Sequence, residues 1–306
     1  EASDEYGYQK MWIFLNDRFV KKEQARISVF DHGFLYGDGV YETLRTYQRR
    51  IFLLERHLAR LRHSCNLIGL VIPITDDAWL SIFTEILNRN SLEDASLRLT
   101  ISRGEGELGI DPGLCASPTV VVMARSFVPY PPRMREEGIR LQLVSVRRNP
   151  ISAQSPQIKS LSFLNNILAK QEAVRAGAYD ALMLNMDSQV TECTTSNIFF
   201  VINQRLHTPS VDCGILEGIT RAVVIEIARN LGIEVKEGAY TAEELLQAEE
   251  CFMTNTSLEV MPVSQIGEHV IGQGKSGPIT MRLWKAFQQN LERFLGPRVA
   301  VPQASI

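Results

Sequence analysis

One segment of the sequence decides how the rest is interpreted: it reads Gln157-Ile158-Lys159-Ser160-Leu161-Ser162-Phe163-Leu164-Asn165-Asn166. Its lysine, Lys159, stands among small and apolar residues without an acidic neighbour in sequence. Desolvation disfavours the charged ammonium form of a lysine, and a neutral amine is a nucleophile that can form a Schiff base. A lysine whose stem snorkels from the end of a strand explains the same segment. Taken alone, Lys159 favours this second interpretation, so the decision depends on the other motifs.

Length and composition indicate a globular protein of two domains. The chain has 306 residues, of which 45% are hydrophobic and 22% are charged, as in ordinary globular proteins. The net charge is −3 without a basic stripe, which argues against nucleic acid or anionic membrane as the main partner. No apolar run approaches the roughly 20 residues that cross a bilayer. The polar segment 1–10 predicts no secretory signal.

The cysteines are odd in number and scattered, with no Cys-x-x-Cys pair. They are Cys65, Cys115, Cys193, Cys213 and Cys251. This pattern indicates reduced thiols and not a disulfide framework or a zinc site. We therefore expect a cytoplasmic protein without a bound metal.

The chain divides at the proline-rich segment Val128-Pro129-Tyr130-Pro131-Pro132-Arg133. Proline lacks the amide donor and has a fixed φ, which argues against regular helix or central strand there. We predict a smaller N-terminal α/β domain over 1–127, an interdomain linker over 128–138 and a larger C-terminal domain over 139–306.

Hydrophobic periodicity predicts both helices and strands, so the fold class is α+β (mixed α/β). The predicted strands are Met11–Leu15, Arg26–Val29, Val40–Tyr47, Ile51–Leu54, Leu97–Ser102, Thr119–Ala124, Arg140–Val146, Ala181–Met186 and Asn197–Ile202. The predicted helices are Glu55–Leu67, Asn165–Ala176 and Thr220–Leu231.

Two motifs in the C-terminal half carry polar groups at the ends of predicted elements. In Val190-Thr191-Glu192-Cys193-Thr194-Thr195-Ser196, the carboxylate of Glu192 could hold a protonated pyridine nitrogen, or it could be a solvated turn residue. In Leu216-Glu217-Gly218-Ile219-Thr220-Arg221, a glycine precedes a helix whose free amides can bind phosphate. Thr220 could instead be a simple helix cap.

Two further motifs offer oxygen-binding groups. Thr254-Asn255-Thr256-Ser257 suits phosphate or carboxylate oxygens, although it could be an ordinary hydroxyl-rich turn. Tyr36-Gly37-Asp38-Gly39-Val40-Tyr41-Glu42-Thr43-Leu44-Arg45 is followed by Glu55-Arg56-His57-Leu58-Ala59-Arg60. Arg60 on its helix can bind phosphate in a bidentate manner, although most such arginines lie on the surface.

Together and in this order, the motifs resemble those of the class IV aminotransferases, the pyridoxal 5'-phosphate enzymes of fold type IV. The resemblance runs from about Met11 to Phe287. It implies the two-domain, D-amino acid aminotransferase-like fold, with Lys159 as the catalytic lysine that binds the cofactor and Glu192 at the pyridine nitrogen. The other cofactor-binding residues that it implies are Arg60, Leu216, Gly218, Ile219, Thr220 and Thr256.

The resemblance also implies the reaction. Lys159 would hold pyridoxal phosphate as a Schiff base, give way to the substrate amine and then move the Cα proton. A second keto acid would reverse these steps, which gives ping-pong kinetics. An inactive cofactor-binding protein is the non-enzyme alternative. Phosphate binding alone needs neither Lys159 nor Glu192, so the presence of both argues against it.

The member of the family is harder to predict. Leu97–Pro112 and Gly267–Thr280 look like the corresponding segments of branched-chain aminotransferases, and the first lacks the Arg-x-His pair typical of D-amino-acid enzymes. Thr43 stands where branched-chain enzymes usually carry glycine, and Cys193-Thr194-Thr195-Ser196 replaces their Gly-rich turn. Thr-Glu-Cys and Glu-Thr-Leu-Arg resemble the 4-amino-4-deoxychorismate lyases.

We expect a homodimeric enzyme that moves the amino group of leucine, isoleucine or valine to 2-oxoglutarate. Arg98 is the candidate for the second carboxylate of glutamate, and the loop around Leu108 is expected to reach the neighbouring subunit's site. The full set of expected substrate-binding residues is Tyr36, Tyr41, Thr43, Arg98, Tyr130, Leu164, Thr256 and Ser257. A lyase and a D-amino-acid or amine transaminase of the same fold stay open as alternatives.

Overall fold

The computed structural model describes residues 11–299. The segment 1–10, for which we predict no secretory signal, lies outside the described residues. The chain forms two compact units. Among the described residues, unit 1 comprises 11–128, 158–162 and 293–299, and unit 2 comprises 129–157 and 163–292. Each unit is built from more than one stretch of chain. The predicted domains, in contrast, are continuous segments on either side of 128–138.

Strands and helices alternate irregularly along the described chain. The strands of residues 11–299 are β1 (Trp12–Leu15), β2 (Arg18–Lys21), β3 (Gly39–Tyr47), β4 (Arg50–Phe52), β5 (Ala95–Ser102), β6 (Thr119–Ser126), β7 (Ile139–Leu143), β8 (Asp180–Leu184), β9 (Val190–Cys193), β10 (Asn197–Ile202), β11 (Arg205–Pro209), β12 (Val235–Gly238), β13 (Glu250–Asn255), β14 (Glu259–Ile266), β15 (His269–Val270) and β16 (Leu295–Arg298). The α-helices of the same residues are α1 (His32–Tyr36), α2 (Leu54–Leu67), α3 (Asp76–Arg89), α4 (Pro132–Glu137), α5 (Leu164–Arg175), α6 (Ile219–Asn230), α7 (Ala242–Leu246), α8 (Pro278–Gln289) and α9 (Leu291–Phe294).

Unit 1 is an antiparallel sheet with two helices that share its core. The strand order is β16-β4-β3-β5-β6-β1-β2. Strand β5 shows the period of two expected of a half-buried strand, because Leu97, Leu99 and Ile101 are buried and the residues between them are less so. Helices α2 and α3 contribute Leu61 and Phe83 to the same apolar core.

Unit 2 is a mixed sheet that closes on itself. The strand order is β12-β11-β10-β13-β14-β7-β8-β9, and β10 also pairs with β9 through Asn197 and Glu192. This pairing closes a ring of six strands from β10 round to β9. Strands β8 and β9 are buried along their whole length. In the core, Phe199 and Phe252 stack with their ring centroids 5.0 Å apart.

The segment 158–162 pairs with the first residues of β3. The Tyr41 amide donates to the Lys159 carbonyl at 2.9 Å, and the Leu161 amide donates to the Gly39 carbonyl at 2.9 Å. Ser160 lies antiparallel to Val40 at this point. Only glycine fits at position 39, because a Cβ there would lie 2.5 Å from the Ile101 carbonyl oxygen and 2.7 Å from Leu161 Cδ1. Main-chain hydrogen bonds therefore fix the position of Lys159 beside β3.

Two predicted features differ from the structure. Arg26–Val29 is not a strand. Its apolar side chains are exposed, Val29 at 66%, so the alternation marks no buried face. The irregular linker predicted over 128–138 contains helix α4, because Pro132 occupies the first helical turn, where its missing amide has no partner to lose. The other predicted elements are present, with boundaries shifted by up to three residues.

The helices of the described residues are all too short or too polar to cross a membrane.

Candidate active site

Lys159 lies in a polar environment within unit 1 that contains no acidic partner for its amine. Its Nζ donates to Tyr41 Oη at 3.2 Å and lies 4.3 Å from the centre of the tyrosine ring. Its own amide donates to Ser64 Oγ at 3.1 Å. Within residues 11–299 the Lys159 amine forms no ion pair with a carboxylate, as its neighbours in sequence suggest. The lysine is therefore oriented by a phenol and by its backbone, not by a carboxylate.

Arg98 contacts the same tyrosine. The guanidinium carbon of Arg98 is 3.7 Å from the centre of the Tyr41 ring, which is a close cation–π contact. On the ladder between β3 and β5, Arg98 pairs with Thr43 and Thr100 pairs with Tyr41. Burial lowers the pKa of Arg98, and interactions with Tyr41 and Glu42 oppose that shift. Three of the predicted residues, Lys159, Tyr41 and Arg98, are thus neighbours within unit 1.

A fully buried carboxylate, Glu42, joins two side chains of α2. Arg60 donates to it twice, from Nε to Oε1 at 2.7 Å and from Nη2 to Oε2 at 2.9 Å. His57 Nδ1 lies 2.8 Å from Oε2. Burial raises the pKa of Glu42, but the opposing effects of Arg60 and His57 are together larger and hold it well below its usual range. Glu42 is therefore a carboxylate that stays ionised.

His57 is neutral in this arrangement. Burial lowers the pKa of His57, and the nearby charge of Glu42 only partly opposes that shift. Neutral His57 then donates from Nδ1 to Glu42, and its Nε2 is buried without a hydrogen-bond partner among the described residues. Glu42 and His57 carried no predicted role. The sequence does indicate that His57 and Arg60 could bind the same group, because they are three residues apart and share one face of a helix.

Arg60 was predicted to bind the cofactor phosphate. Two of the five N–H groups of a guanidinium are committed here to Glu42, and the Arg60 side chain is 13% exposed. The bidentate pair fixes the plane of the guanidinium, which is the form of pre-organisation that phosphate recognition uses. The phosphate contact itself stays a prediction.

Tyr36 connects α1 to the loop around Leu108. Its hydroxyl accepts a hydrogen bond from the Gly109 amide at 3.1 Å, and its ring makes an edge contact with His32 at 5.0 Å. The Tyr36 side chain is 41% exposed. The loop and the predicted pocket residue are therefore held to one another within unit 1.

In unit 2, Glu192 is a buried strand residue and not a solvated turn residue. It lies in β9 and is 5% exposed. Its Oε1 is 3.0 Å from Arg148 Nη2, and its Oε2 accepts from Asn197 Nδ2 at 3.2 Å and from the Leu216 amide at 3.1 Å. The last contact ties Glu192 to Leu216, another of the predicted cofactor-binding residues. Arg148 and Asn197 carried no predicted role.

The start of α6 has the properties of an anion site. Gly218 is its N-cap and no side chain caps the helix. A Cβ at Gly218 would lie 2.0 Å from Asn197 Oδ1, so glycine is required there. The hydroxyls of Thr220 and of Thr254 on β13 are buried without a hydrogen-bond partner in residues 11–299. Buried hydroxyls are normally satisfied, so these two atoms and the uncapped helix start favour an anionic ligand.

The loop between β13 and β14 holds Thr256 and Ser257. Asn255 Oδ1 accepts from the amides of Ser257 at 2.9 Å and Leu258 at 2.7 Å. Asn255 pairs with Glu259 across the hairpin, which leaves a three-residue loop. Glu259 follows this loop with φ +59°. A left-handed conformation costs a residue with a side chain roughly 1–2 kcal/mol, so this loop stores strain.

Two predicted pocket residues, Tyr130 and Leu164, lie in unit 2. Tyr130 is half-buried and packs against the apolar core of unit 2. Leu164 begins α5 and is 68% exposed. Their substrate contacts stay predictions.

Comparison with known proteins places the chain in a family. The family model described as "Amino-transferase class IV" matches residues 39–266. This range contains Lys159, Glu192 and the segments 216–221 and 254–257.

The chain belongs to the class IV aminotransferases.

Three curated relatives cover almost the whole of this aminotransferase. A provisionally named branched-chain-amino-acid aminotransferase of Methanocaldococcus jannaschii is 44% identical over 91% of this chain and 96% of its own length. The aminodeoxychorismate lyase of Bacillus subtilis is 34% identical over 92% of this chain and 96% of its own. The D-alanine aminotransferase of Listeria innocua is 33% identical over 94% and 98%.

A solved structure shares the fold. The branched-chain amino acid aminotransferase of Thermobaculum terrenum, in its PLP-bound holo form, superposes with a TM-score of 0.84 at 28% identity. The match covers 95% of this chain and 99% of the other. The fold of this transaminase is therefore fold type IV, as predicted, and its cofactor is pyridoxal 5'-phosphate.

The residues of unit 2 fit this cofactor. A phosphate needs several donors, and unit 2 offers the uncapped amides at the start of α6 and the unsatisfied hydroxyls of Thr220 and Thr254. A pyridinium nitrogen needs a fixed negative charge, and Glu192 is held in place by three donors. The chain therefore carries groups for both ends of the cofactor.

Proposed function

We propose that this aminotransferase moves the amino group of leucine, isoleucine or valine to 2-oxoglutarate. The relatives named above support a branched-chain substrate, although two of the three curated ones carry other names. The preference for L-amino acids rests on the segment 97–112, which lacks the Arg-x-His pair typical of D-amino-acid enzymes, and the identity of the acceptor rests on Arg98.

The observation that carries the proposal is the stack of Lys159, Tyr41 and Arg98 in unit 1. The lysine amine is 3.2 Å from the phenol oxygen, and the guanidinium lies on the ring of the same phenol. A guanidinium that contacts the same tyrosine as the reacting amine can bind the second carboxylate of glutamate or 2-oxoglutarate. A purely aliphatic donor has no group for it, so Arg98 supports an acidic acceptor in the second half of the reaction.

The remaining roles follow from the chemistry of each side chain. Bound pyridoxal phosphate supplies the electron sink for the carbanion-like transition state. Lys159 Nζ accepts the Cα proton and returns it, since it is a basic amine without a carboxylate partner in the described chain. Glu192 holds a negative charge at the ring nitrogen, while Arg60, Ile219 and Thr220 bind the phosphate. Leu216 packs on the ring.

The substrate itself is held by hydroxyls and tyrosines in this proposal. Thr256 and Ser257 bind its α-carboxylate. Tyr36, Thr43, Tyr130 and Leu164 form the rest of the predicted side-chain pocket. Tyr36 already holds the Gly109 amide, so the loop that follows Leu108 is fixed at one edge of that set.

We also place the enzyme in the cytoplasm as a homodimer. The cysteines of the described residues are all free, which supports a reducing compartment. Leu108 and Ile110 are 67% and 86% exposed. Large exposed apolar side chains this close in sequence support a contact with a second copy.

A panel of amino donors tests the substrate class. The purified holoenzyme is mixed with L-leucine, L-isoleucine, L-valine, D-alanine or a simple amine, and conversion of the cofactor to its aminated form is followed by absorbance. Glutamate formation is then measured with 2-oxoglutarate. We expect the three branched-chain L-amino acids to react well above D-alanine. Fast pyruvate release from aminodeoxychorismate, with inert branched-chain substrates, would establish the lyase instead.

The acceptor is tested with Arg98→Gln. The variant should raise the KM for 2-oxoglutarate by roughly tenfold or more, the value of one charge-assisted contact. It should change the KM for the monocarboxylate acceptor 4-methyl-2-oxopentanoate much less. Thr100→Val is the matched control, because Thr100 Oγ1 accepts from Arg98 Nε at 3.3 Å without carrying charge. Equal losses with both acceptors would show that Arg98 serves only to support Tyr41.

A further inference from the structure

Glu259 is a carboxylate in a position that normally suits glycine. The left-handed region of the backbone is occupied mostly by glycine, because a side chain is strained in that conformation. Glu259 has φ +59° there and is 3% exposed. Strain of this kind persists only where the surroundings enforce it, and it concentrates at binding sites. Its side chain therefore has partners that hold the conformation.

Three donors converge on one oxygen of Glu259. Arg135 Nη2 lies 3.2 Å from Oε2, Trp284 Nε1 lies 3.3 Å from it, and Gln288 Nε2 lies 2.6 Å from it. Trp284 and Gln288 are four residues apart on α8 and present one face of that helix. Arg135 comes from α4, and its guanidinium lies 5.1 Å from the Trp284 ring. Two helices thus hold a single carboxylate.

Arg135 also holds the backbone on both sides of Glu259. Its Nη1 donates to the Val260 carbonyl at 2.6 Å, and its Nη2 donates to the Leu258 carbonyl at 3.2 Å. These are charge-assisted hydrogen bonds, which are the stronger class. The end of the loop is therefore fixed by main-chain and side-chain contacts to the same guanidinium.

The beginning of the loop is fixed separately. Asn255 accepts from the amides of Ser257 and Leu258, and its Nδ2 donates to Ser196 Oγ at 2.8 Å. Thr256 and Ser257 lie between the two anchors, half-buried. Their hydroxyls make no hydrogen bond to any residue of the described chain. The structure thus fixes both ends of a loop whose two central hydroxyls keep their hydrogen-bonding capacity.

We propose that Glu259 is a positioning residue for the substrate carboxylate. Its carboxylate, held by Arg135, Trp284 and Gln288, keeps the backbone left-handed and so sets the direction in which Thr256 and Ser257 present their hydroxyls. This inference rests on the proposed role of those two residues in binding the α-carboxylate. Glu259 itself does not contact the substrate.

The test compares buried carboxylates at the two ends of one hairpin. Glu259→Gln keeps the size of the side chain but removes its charge and turns one acceptor into a donor. Glu259→Gly removes the side chain and relieves the backbone. Glu250→Gln is the matched control, because Glu250 is 6% exposed at the far end of the same hairpin. It accepts from the amides of Ile279 and Thr280 at the start of α8.

Five quantities are measured on each holoenzyme: KM and kcat for the best amino donor of the wild type, the Kd of pyridoxal phosphate, the inhibition constant of 4-methylpentanoate and the melting temperature. For Glu259→Gln and Glu259→Gly we expect about tenfold increases in KM and in the inhibition constant, the effect of one weakened charge-assisted contact. The kcat and the cofactor Kd should stay within about threefold. Glu250→Gln should lower the melting temperature without changing KM.

Two outcomes would overturn the inference. One is a wild-type KM in both Glu259 variants. The other is a parallel loss of substrate affinity, turnover, cofactor binding and stability in the Glu259 variants, since that is the signature of a structural role alone. A raised KM in Glu259→Gln with a normal KM in Glu259→Gly supports the proposed route through the backbone, because glycine adopts the left-handed conformation without a carboxylate to hold it.

A milder variant covers the case in which Glu259 variants fail to fold. Gln288→Met removes only the 2.6 Å contact and should raise KM and the inhibition constant together by a smaller factor, while an unchanged pair of constants contradicts the proposal. The wild type reports separately on the proposed function. If it acts on no branched-chain amino acid and 4-methylpentanoate does not inhibit it, the substrate class is wrong. The Glu259 comparison then runs with whichever amino acid the wild type does convert.

Discussion

Replacing His57 with asparagine should make the folded enzyme less sensitive to acid. Burial lowers the pKa of His57 in the folded state, with Glu42 only partly opposing the shift. The unfolded chain therefore takes up a proton near pH 6.5, the ordinary value for histidine, while the folded chain does not. The unfolded state binds more protons as the pH falls, so the stability that neutral His57 contributes is complete above that value and declines below it.

The size of the change in the free energy of unfolding follows from the one proton that the unfolded state binds at His57 and the folded state does not. The free energy of unfolding falls by up to ~1.4 kcal/mol per pH unit wherever the unfolded state alone is protonated. Between pH 7 and pH 5 this integrates to at most about 2 kcal/mol for one histidine. Asparagine has no such proton, and its Nδ2 can still donate to Glu42 as His57 Nδ1 does now. The variant should keep the hydrogen bond and lose the pH dependence.

The assay is urea unfolding at pH 7 and at pH 5, followed by tryptophan fluorescence at a fixed concentration of pyridoxal phosphate. Trp79 is buried in unit 1 and reports on that unit. The quantity of interest is the change between the two pH values, compared between wild type and His57→Asn. His63→Asn is the control, because His63 lies on the same helix and is exposed. It should show the wild-type change.

The contrary outcome is a His57→Asn variant that loses as much stability between pH 7 and pH 5 as the wild type does. That result would mean that folded His57 accepts a proton as readily as the unfolded chain. The pair with Glu42 would then be an ion pair and not a hydrogen bond from a neutral imidazole.

Three further predictions concern the cofactor. Borohydride reduction and peptide mapping should place the pyridoxyl group on Lys159, with Lys159→Ala retaining cofactor but almost no turnover; a label on Lys170 would contradict this assignment. Arg60→Ala should weaken the Kd of pyridoxal phosphate by roughly 10- to 100-fold and also lower the melting temperature, because Glu42 is left buried without its cation; an unchanged Kd would remove Arg60 from the phosphate site. Glu192→Gln should lower kcat and kcat/KM together by at least ~100-fold, as steady-state kinetics can measure, whereas near-normal turnover would mean that the charge of Glu192 has no catalytic role.

Long helices with regularly spaced apolar residues were the most predictable elements of the fold. The spacing of Val223, Val224 and Ile227 predicts α6, and these side chains are buried on it. Residues 76–89 carry a comparable pattern in Trp79 and Phe83, yet no prediction covered them. Short segments such as 26–29 were less predictable, because a few alternating residues do not reveal whether a buried face exists for them.

The site was predictable where a motif carries it and not where partners are distant in sequence. Lys159 and Glu192 stand in motifs that resemble those of the family. Arg148 is 44 positions from Glu192, and its contact with that carboxylate depends on how the strands pair. Glu259 gives no signal at all in sequence, because a positive φ for a glutamate follows from contacts to two helices that lie before and after it in the chain.

Unit 1 is built from separate stretches of the chain, and this affects how much of it can fold while the chain is still being synthesised. Strand β16 pairs with β4, and the segment 158–162 pairs with β3, so both of these partners are made after residue 128, and β16 comes near the end of the described chain. Until then the β4 side of the nascent sheet has an unpaired edge, which is a template for wrong pairing with another chain. The position of Lys159 also depends on a strand made about 120 residues earlier, a non-local contact of the kind that slows folding. The reactive lysine and the protection of the sheet edge are therefore acquired late, and a fragment that ends at the boundary of the first unit would lack both.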